Sequence, residues 1–265
     1  MIRKSVMCLV IILSASFIAS TLAADDMPVL PEYRYAPSNT VLDDVNEKRN
    51  AAISKNKRLM VVFGAEWCHD SRGLSQRFSR PKINAILQKK YEIVFVDIGY
   101  LTTGFKAIQQ LNQPIYYGTP AVLIVDPKTN TLLNESTIMH WTNADSLALA
   151  EYNDYFSQDF ELPLEEETRD PVVLAYLAEI RQFEKTQAAR LRLAYQVVGP
   201  LLKSYKETDI GLTDEFENTW DEVKSYRTAI PGDVAKLVEQ AKTKAENGDK
   251  TALDFPEYPA FSWEK

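Results

Sequence analysis

Residues 63–73 read FGAEWCHDSRG, and the apolar run just before and into them, RLMVVFG (58–64), has strand composition ending at a glycine. Helical spacing begins at or beside Cys68 and continues through Leu74, Phe78, Ile83, Ile86 and Leu87, with Pro81 as a break or kink. The sulfur of a cysteine at such a strand-to-helix junction faces unpaired backbone N–H groups and the positive end of the helix dipole. Both favour the thiolate, which is the nucleophilic form. His69, when protonated and near, adds to that effect, and Asp70 opposes it.

Outward from this junction the chain reads as one α/β domain over 41–158. Residues 25–40 form an irregular lead-in rich in Pro, Tyr, Asn and Ser. VLDDVNEKRNAAISKNK (41–57) is expected to be a helix, EIVFVDI (92–98) a second buried strand and TGFKAIQQLN (103–112) a short helix. IYYGTP (115–120) is a turn and AVLIVD (121–126) a third strand. TLLNES (131–136) is expected to pair back as a fourth strand, and NADSLALAEYNDYF (143–156) to be a helix. Strands separated by helices are expected to run parallel, with the last hairpin antiparallel.

Beyond that domain, 166–265 reads as a helical C-terminal region. Asp170 followed by Pro171 is a helix-start signal, and Val173, Leu177, Ile180, Leu191, Ala194 and Val198 share one face up to Gly199-Pro200. A second helix is expected over 213–228 and a third after Gly232-Asp233, with Val234, Leu237, Val238 and Ala241 inward. The tail FPEYPAFSWEK is expected to lie on the surface. The region carries no chemistry of its own and reads as a structural extension docked on the α/β domain; a partner-binding face is the rival reading.

At the other end, Arg3 and Lys4 precede an apolar run, VMCLVIILSASFIA, and small residues follow at Thr21 and Ala23. This is the layout of a signal peptide over 1–23, cut after Ala23 or, alternatively, Ala24. The run is short for a span of about 20 residues, which argues against an uncut membrane anchor. Cleavage removes Cys8 and two positive charges, taking the formal charge from −7 to −9. Such an acidic chain has no electrostatic footprint for nucleic acid or anionic membrane. The expected product is soluble and exported, with the bacterial periplasm as its compartment, and has Cys68 as its single thiol. One cysteine cannot close an internal bridge, so it is either a core residue or a free thiol.

VVFGAEWCHDS (61–71) resembles the active-site segment of the thioredoxin superfamily, in which a strand runs into Trp-Cys-x-x-Cys. GTPAVLIVD (118–126) is similar to that family's Thr-Pro turn before the next strand, and the likeness covers roughly 115 residues. It implies a thioredoxin-like fold, a central mixed sheet flanked by helices. It also implies a cis Pro120 beside the reactive Cys68, Thr119 lining the substrate groove and Trp67 bordering the thiol. The chain departs from the pattern where Ser71 replaces the second cysteine, where His69-Asp70 fills the middle, and where Val62 stands in place of a buried aspartate.

Thiol–disulfide exchange passes through a mixed disulfide, which a dithiol resolves with its second thiolate. Ser71 can hydrogen-bond the Cys68 sulfur but is too weak an acid and nucleophile to resolve the adduct. The leading reading is therefore a monothiol centre in which Cys68, Ser71 and His69 carry the chemistry and Trp67, Thr119 and Pro120 bind substrate. Its partners are protein or small-molecule thiols and disulfides, with glutathione or a partner oxidoreductase as the resolving thiol. No cofactor is implied. No metal is expected either, since Cys68, His69 and His140 lack a fourth ligand. The rivals are a non-enzymatic thioredoxin-fold binder, an inert core cysteine, and a one-cysteine peroxidase for which only Arg72 stands in reach.

Overall fold

Strand β1 (Arg58–Gly64) is the middle of a three-stranded mixed sheet of order β2-β1-β3 in the computed structural model, which describes residues 32–160 and 168–264. The expected signal peptide lies outside the described residues. Leu59–Gly64 are all buried, as a central strand covered on both faces requires. β2 (Tyr91–Asp97) pairs with β1 in parallel, from Arg58↔Tyr91 to Gly64↔Asp97. β3 (Ala121–Val125) instead pairs antiparallel, from Phe63↔Ala121 to Leu59↔Val125. The expectation of parallel strands thus fails for β3. The connection holds one helix of six residues, α4 (Phe105–Gln110), which rises only about 9 Å and leaves the chain at the end of the sheet it started from. β3 accordingly starts beside Phe63, at the end of the sheet where β2 stops.

The expected fourth strand is reduced to one bridge, Val125↔Leu132. Asn134 takes its place: its side-chain amide donates to Val122 O (2.8 Å) and its Oδ1 accepts from Ile124 N (2.8 Å). A side chain holding both a donor and an acceptor can thus pair with β3 as a strand backbone would. The chain then turns into a 3₁₀ segment, Glu135–Ser146, which buries Ile138, Trp141 and Ala144. Helix α5 spans Leu149–Ser157, later than expected, because Leu147 is extended and Ala148 N is capped by the Glu151 carboxylate (2.9 Å).

Alternation along the strands divides the core. Met60, Val62, Val122 and Ile124 meet α2 (His69–Phe78), α3 (Pro81–Lys90), α5 and the lead-in residues Tyr33 and Tyr35. Leu59, Val61, Phe63, Leu123 and Val125 meet α1 (Val41–Ser54), α4 and the C-terminal helices. Among the described residues those helices number two rather than the expected three: α6 (Pro171–Glu207) and α7 (Asp214–Glu246). Asp170 caps α6 by accepting from Val172 N (2.8 Å). Both helices run through a proline, Pro200 and Pro231, at a cost of about 3 kcal/mol each in a helix interior. Burial of Val198 and Leu202 around the first, and of Ile230 and Leu237 around the second, opposes that cost. The tail also departs from a purely surface course, since Phe261 is buried and Arg190 lies over its ring (4.5 Å) while bonding Glu264 (2.8 Å).

Candidate thiol site

The end of β1 and the start of α2 build the site. Ala65 O accepts from Cys68 N (3.1 Å), closing the turn, and Cys68 O accepts from Arg72 N (3.1 Å), opening the helix. Cys68 is therefore the N-cap residue of α2, with extended backbone (φ −86°, ψ 124°). Its side chain is 7% exposed, and Sγ donates to Thr119 O at 3.3 Å. The Thr119–Pro120 peptide is cis, and both residues are buried.

Ser71, one helical turn on, is completely buried. Its Oγ is paired with Thr119 Oγ1 (3.1 Å) and accepts from Ala65 N (3.4 Å), rather than bonding the Cys68 sulfur. Thr119 thus joins the two positions of the motif, its carbonyl taking the thiol and its hydroxyl taking the serine. Gly64 makes room for this: a Cβ there would lie 2.7 Å from Ser71 Oγ and 2.5 Å from the Tyr35 ring. His69 does not join the cluster. It is 71% exposed and turned to Asp70 Oδ2 (3.1 Å), while Asp70 Oδ1 accepts from Asp145 N (3.0 Å) and ties α2 to the 3₁₀ segment. His140 stacks on Tyr155 (5.9 Å).

Trp67 is half-buried; its Nε1 donates to Gly99 O (2.7 Å) and its ring stacks on Tyr100 (6.2 Å, 13°). Helix α6 holds this loop and the one leading to Thr119. Gly199 packs so closely that a Cβ would sit 2.5 Å from Tyr100 O, and Tyr100 Oη donates to Glu207 Oε1 (3.0 Å). Tyr195 Oη donates to Tyr116 O (2.8 Å), and Tyr117 Oη to Glu184 Oε1 (2.8 Å). Glu184 is buried, and burial pushes its carboxyl up to about 7. The Tyr117 hydrogen bond and Arg181 oppose that rise, and Glu135 adds to it. Helix α6 therefore borders both loops of the site.

Three of these residues carry no motif and escape a linear reading: Tyr35, Tyr100 and Glu184. Only Tyr35 left a signal, since Tyr33 and Tyr35 flank an exposed Arg34 in strand-like alternation.

Residues 40–127 match the family described as thioredoxin-like. No curated protein matches the chain. Among solved structures, a disulphide isomerase from Xylella fastidiosa Temecula1 is similar at 26% identity, over 49% of this chain and 97% of that one, with a TM-score of 0.44.

Proposed function

We propose that this chain, whose residues 40–127 form a thioredoxin-like domain, is a monothiol centre for thiol–disulfide exchange. The observation that carries the reading is Cys68 at the N-cap of α2, its sulfur against Thr119 O, with a buried serine where a resolving thiol would stand. The Cys68 thiolate attacks one sulfur of a substrate disulfide; that S–S bond breaks and the other half leaves as a thiolate. Cys68 is then held in a mixed disulfide. Ser71 does not cleave it, so an outside thiolate attacks the substrate sulfur, forms a new disulfide with it and releases Cys68 as a thiolate. The net result moves a disulfide among three thiols and leaves the protein unchanged. Glutathione or a partner oxidoreductase supplies the outside thiol. Trp67, Thr119 and Pro120 border the attacked bond. The basic residues Arg3 and Lys4, with the apolar run after them, support export to an oxidising compartment such as the periplasm, where disulfides persist.

Trapping tests this reading. The mature protein is incubated with a mixed-disulfide probe or with compartment extract, quenched with acid, and resolved without reductant. Wild type should give adducts that glutathione releases, and Cys68→Ser should give none. Equal retention of partners by both would instead make the domain a binder that does not use its thiol.

A further inference from the structure

The hydroxyl of Tyr35 is the unexplained group at this site. Tyr35 comes from the lead-in before α1, its backbone N–H donates to Glu66 Oε1 (3.0 Å), and its ring packs on Phe95 (5.0 Å). It is 3% exposed, and among the described residues its Oη meets no partner in full hydrogen-bond geometry, although the Ser71 and Ser75 hydroxyls stand close enough to act on it. An unsatisfied buried hydroxyl is costly and rare enough to require a reason. Its surroundings supply one. The ring edge and Ser71 Oγ converge on the space above Gly64, and Val62, on the same face of β1, offers no polar atom. Burial holds the phenol well above its ordinary range; the Ser71 and Ser75 hydroxyls pull it down, and Cys68 and Glu66 push it further up. Tyr35 is therefore a permanently protonated donor.

We propose that Tyr35 is a positioning residue for the Cys68 site, holding a reserve hydrogen bond that frees Ser71 to stabilise the Cys68 thiolate. The proposal rests on the thiol reading above. In the resting thiol, Cys68 donates to Thr119 O and Ser71 is engaged with Thr119 Oγ1, so Tyr35 is left over. Loss of the Cys68 proton to water turns the sulfur from donor to acceptor, and Thr119 O, an acceptor itself, no longer suits it. Ser71 lies three residues on, on the same helix face. Its hydroxyl turns from Thr119 to the sulfur, and Tyr35 Oη donates to the Ser71 oxygen in its place. No proton passes between Tyr35 and Ser71, and the phenol gains in the thiolate the partner it lacks in the thiol. The other charged groups nearby, Glu66, His69 and Asp70, are unchanged by the exchange: Glu66 holds Tyr35 N, and Asp70 is bound to His69 and Asp145 N.

Tyr35→Phe in the mature chain separates this role from packing. The rate of Cys68 alkylation by iodoacetamide is measured from about pH 5 to 9, beside thermal unfolding, in wild-type and Ser71→Ala backgrounds. Loss of an unpartnered hydroxyl should leave the melting temperature equal or higher. Alkylation near pH 7 should slow roughly tenfold, with its pH profile moved upward. In the Ser71→Ala background the same change should have no effect, because the relay is already cut. An unchanged alkylation profile in Tyr35→Phe, equal slowing in both backgrounds, or a marked loss of stability would each overturn the proposal. If those results came with normal adduct trapping by wild type, the monothiol reading would stand without it. A wild-type thiol that does not alkylate at all would remove both.

Discussion

Glu184→Gln tests the link between α6 and the loop that carries Thr119. Glu184 Oε1 accepts from Tyr117 Oη, and burial raises its carboxyl from 4.5 to about 7. Between those values the unfolded chain ionises this group while the folded chain keeps its proton. Folding is then increasingly opposed as pH rises, and a gap of this size corresponds to about 3 kcal/mol. The stability that neutral Glu184 lends is complete below pH 4.5 and is lost as pH passes 7. Glutamine keeps a carbonyl oxygen for Tyr117 and cannot ionise. Urea unfolding of the two proteins at pH 5, 6, 7 and 8 should show near-equal stability at the acid end. At pH 8 Glu184→Gln should be the more stable by up to about 3 kcal/mol. A difference between the two proteins that stays constant across this range would overturn this expectation, because Glu184 would then ionise equally in both states.

Two further substitutions probe the site from opposite sides. Gly199→Ala gains about 1 kcal/mol in helix propensity but sets a Cβ 2.5 Å from the Tyr100 carbonyl, and the forced shift costs about 1–3 kcal/mol. The melting temperature should fall, and a rise would mean that α6 does not press on the Tyr100 loop. Ser71→Cys places a second thiol one turn from Cys68, where Ser71 Oγ already meets Thr119. With dithiothreitol as the electron source and no monothiol added, it should precipitate insulin faster than wild type does. Absence of turnover in a folded variant with two free thiols would show that Val62 and the His69-Asp70 pair disable resolution.

The build of the junction was legible because it is local. A strand ending at Gly64, a turn and a helix starting beside Cys68 follow from short-range pattern, and the same run shows Ser71 where a thiol would stand. Helix α6 was legible at its start for the same reason, since Asp170 and Pro171 act on their own backbone. Its end was not. Gly199-Pro200 and Pro231-Gly232 carry strong local stop signals, yet α6 and α7 continue through them because buried residues flank each: Val198, Leu202 and Ile230 in a core shared with the sheet, and Leu237 in one that α6, α7 and the tail form among themselves. The antiparallel β3 and the missing fourth strand have a similar origin. Strand direction depends on where α4 delivers the chain, and the fourth strand yields to a single asparagine whose amide fits the edge of β3.

The linear order of residues already marks the candidate site: Cys68, a serine three places on, and a Thr-Pro turn before β3. Their spacing along the chain is enough to say so. How they are partnered follows from packing. Thr119 lies 51 residues from Cys68, and its carbonyl takes the thiol while its hydroxyl takes Ser71. Tyr35 arrives behind the serine from the lead-in, and Tyr195 and Glu184 grip the Thr119 loop from a helix that a linear reading treats as an appendage. The physical reason is range: capping and strand propensity act over a few residues, whereas a buried hydroxyl finds its partner through whichever segments the packed core brings together.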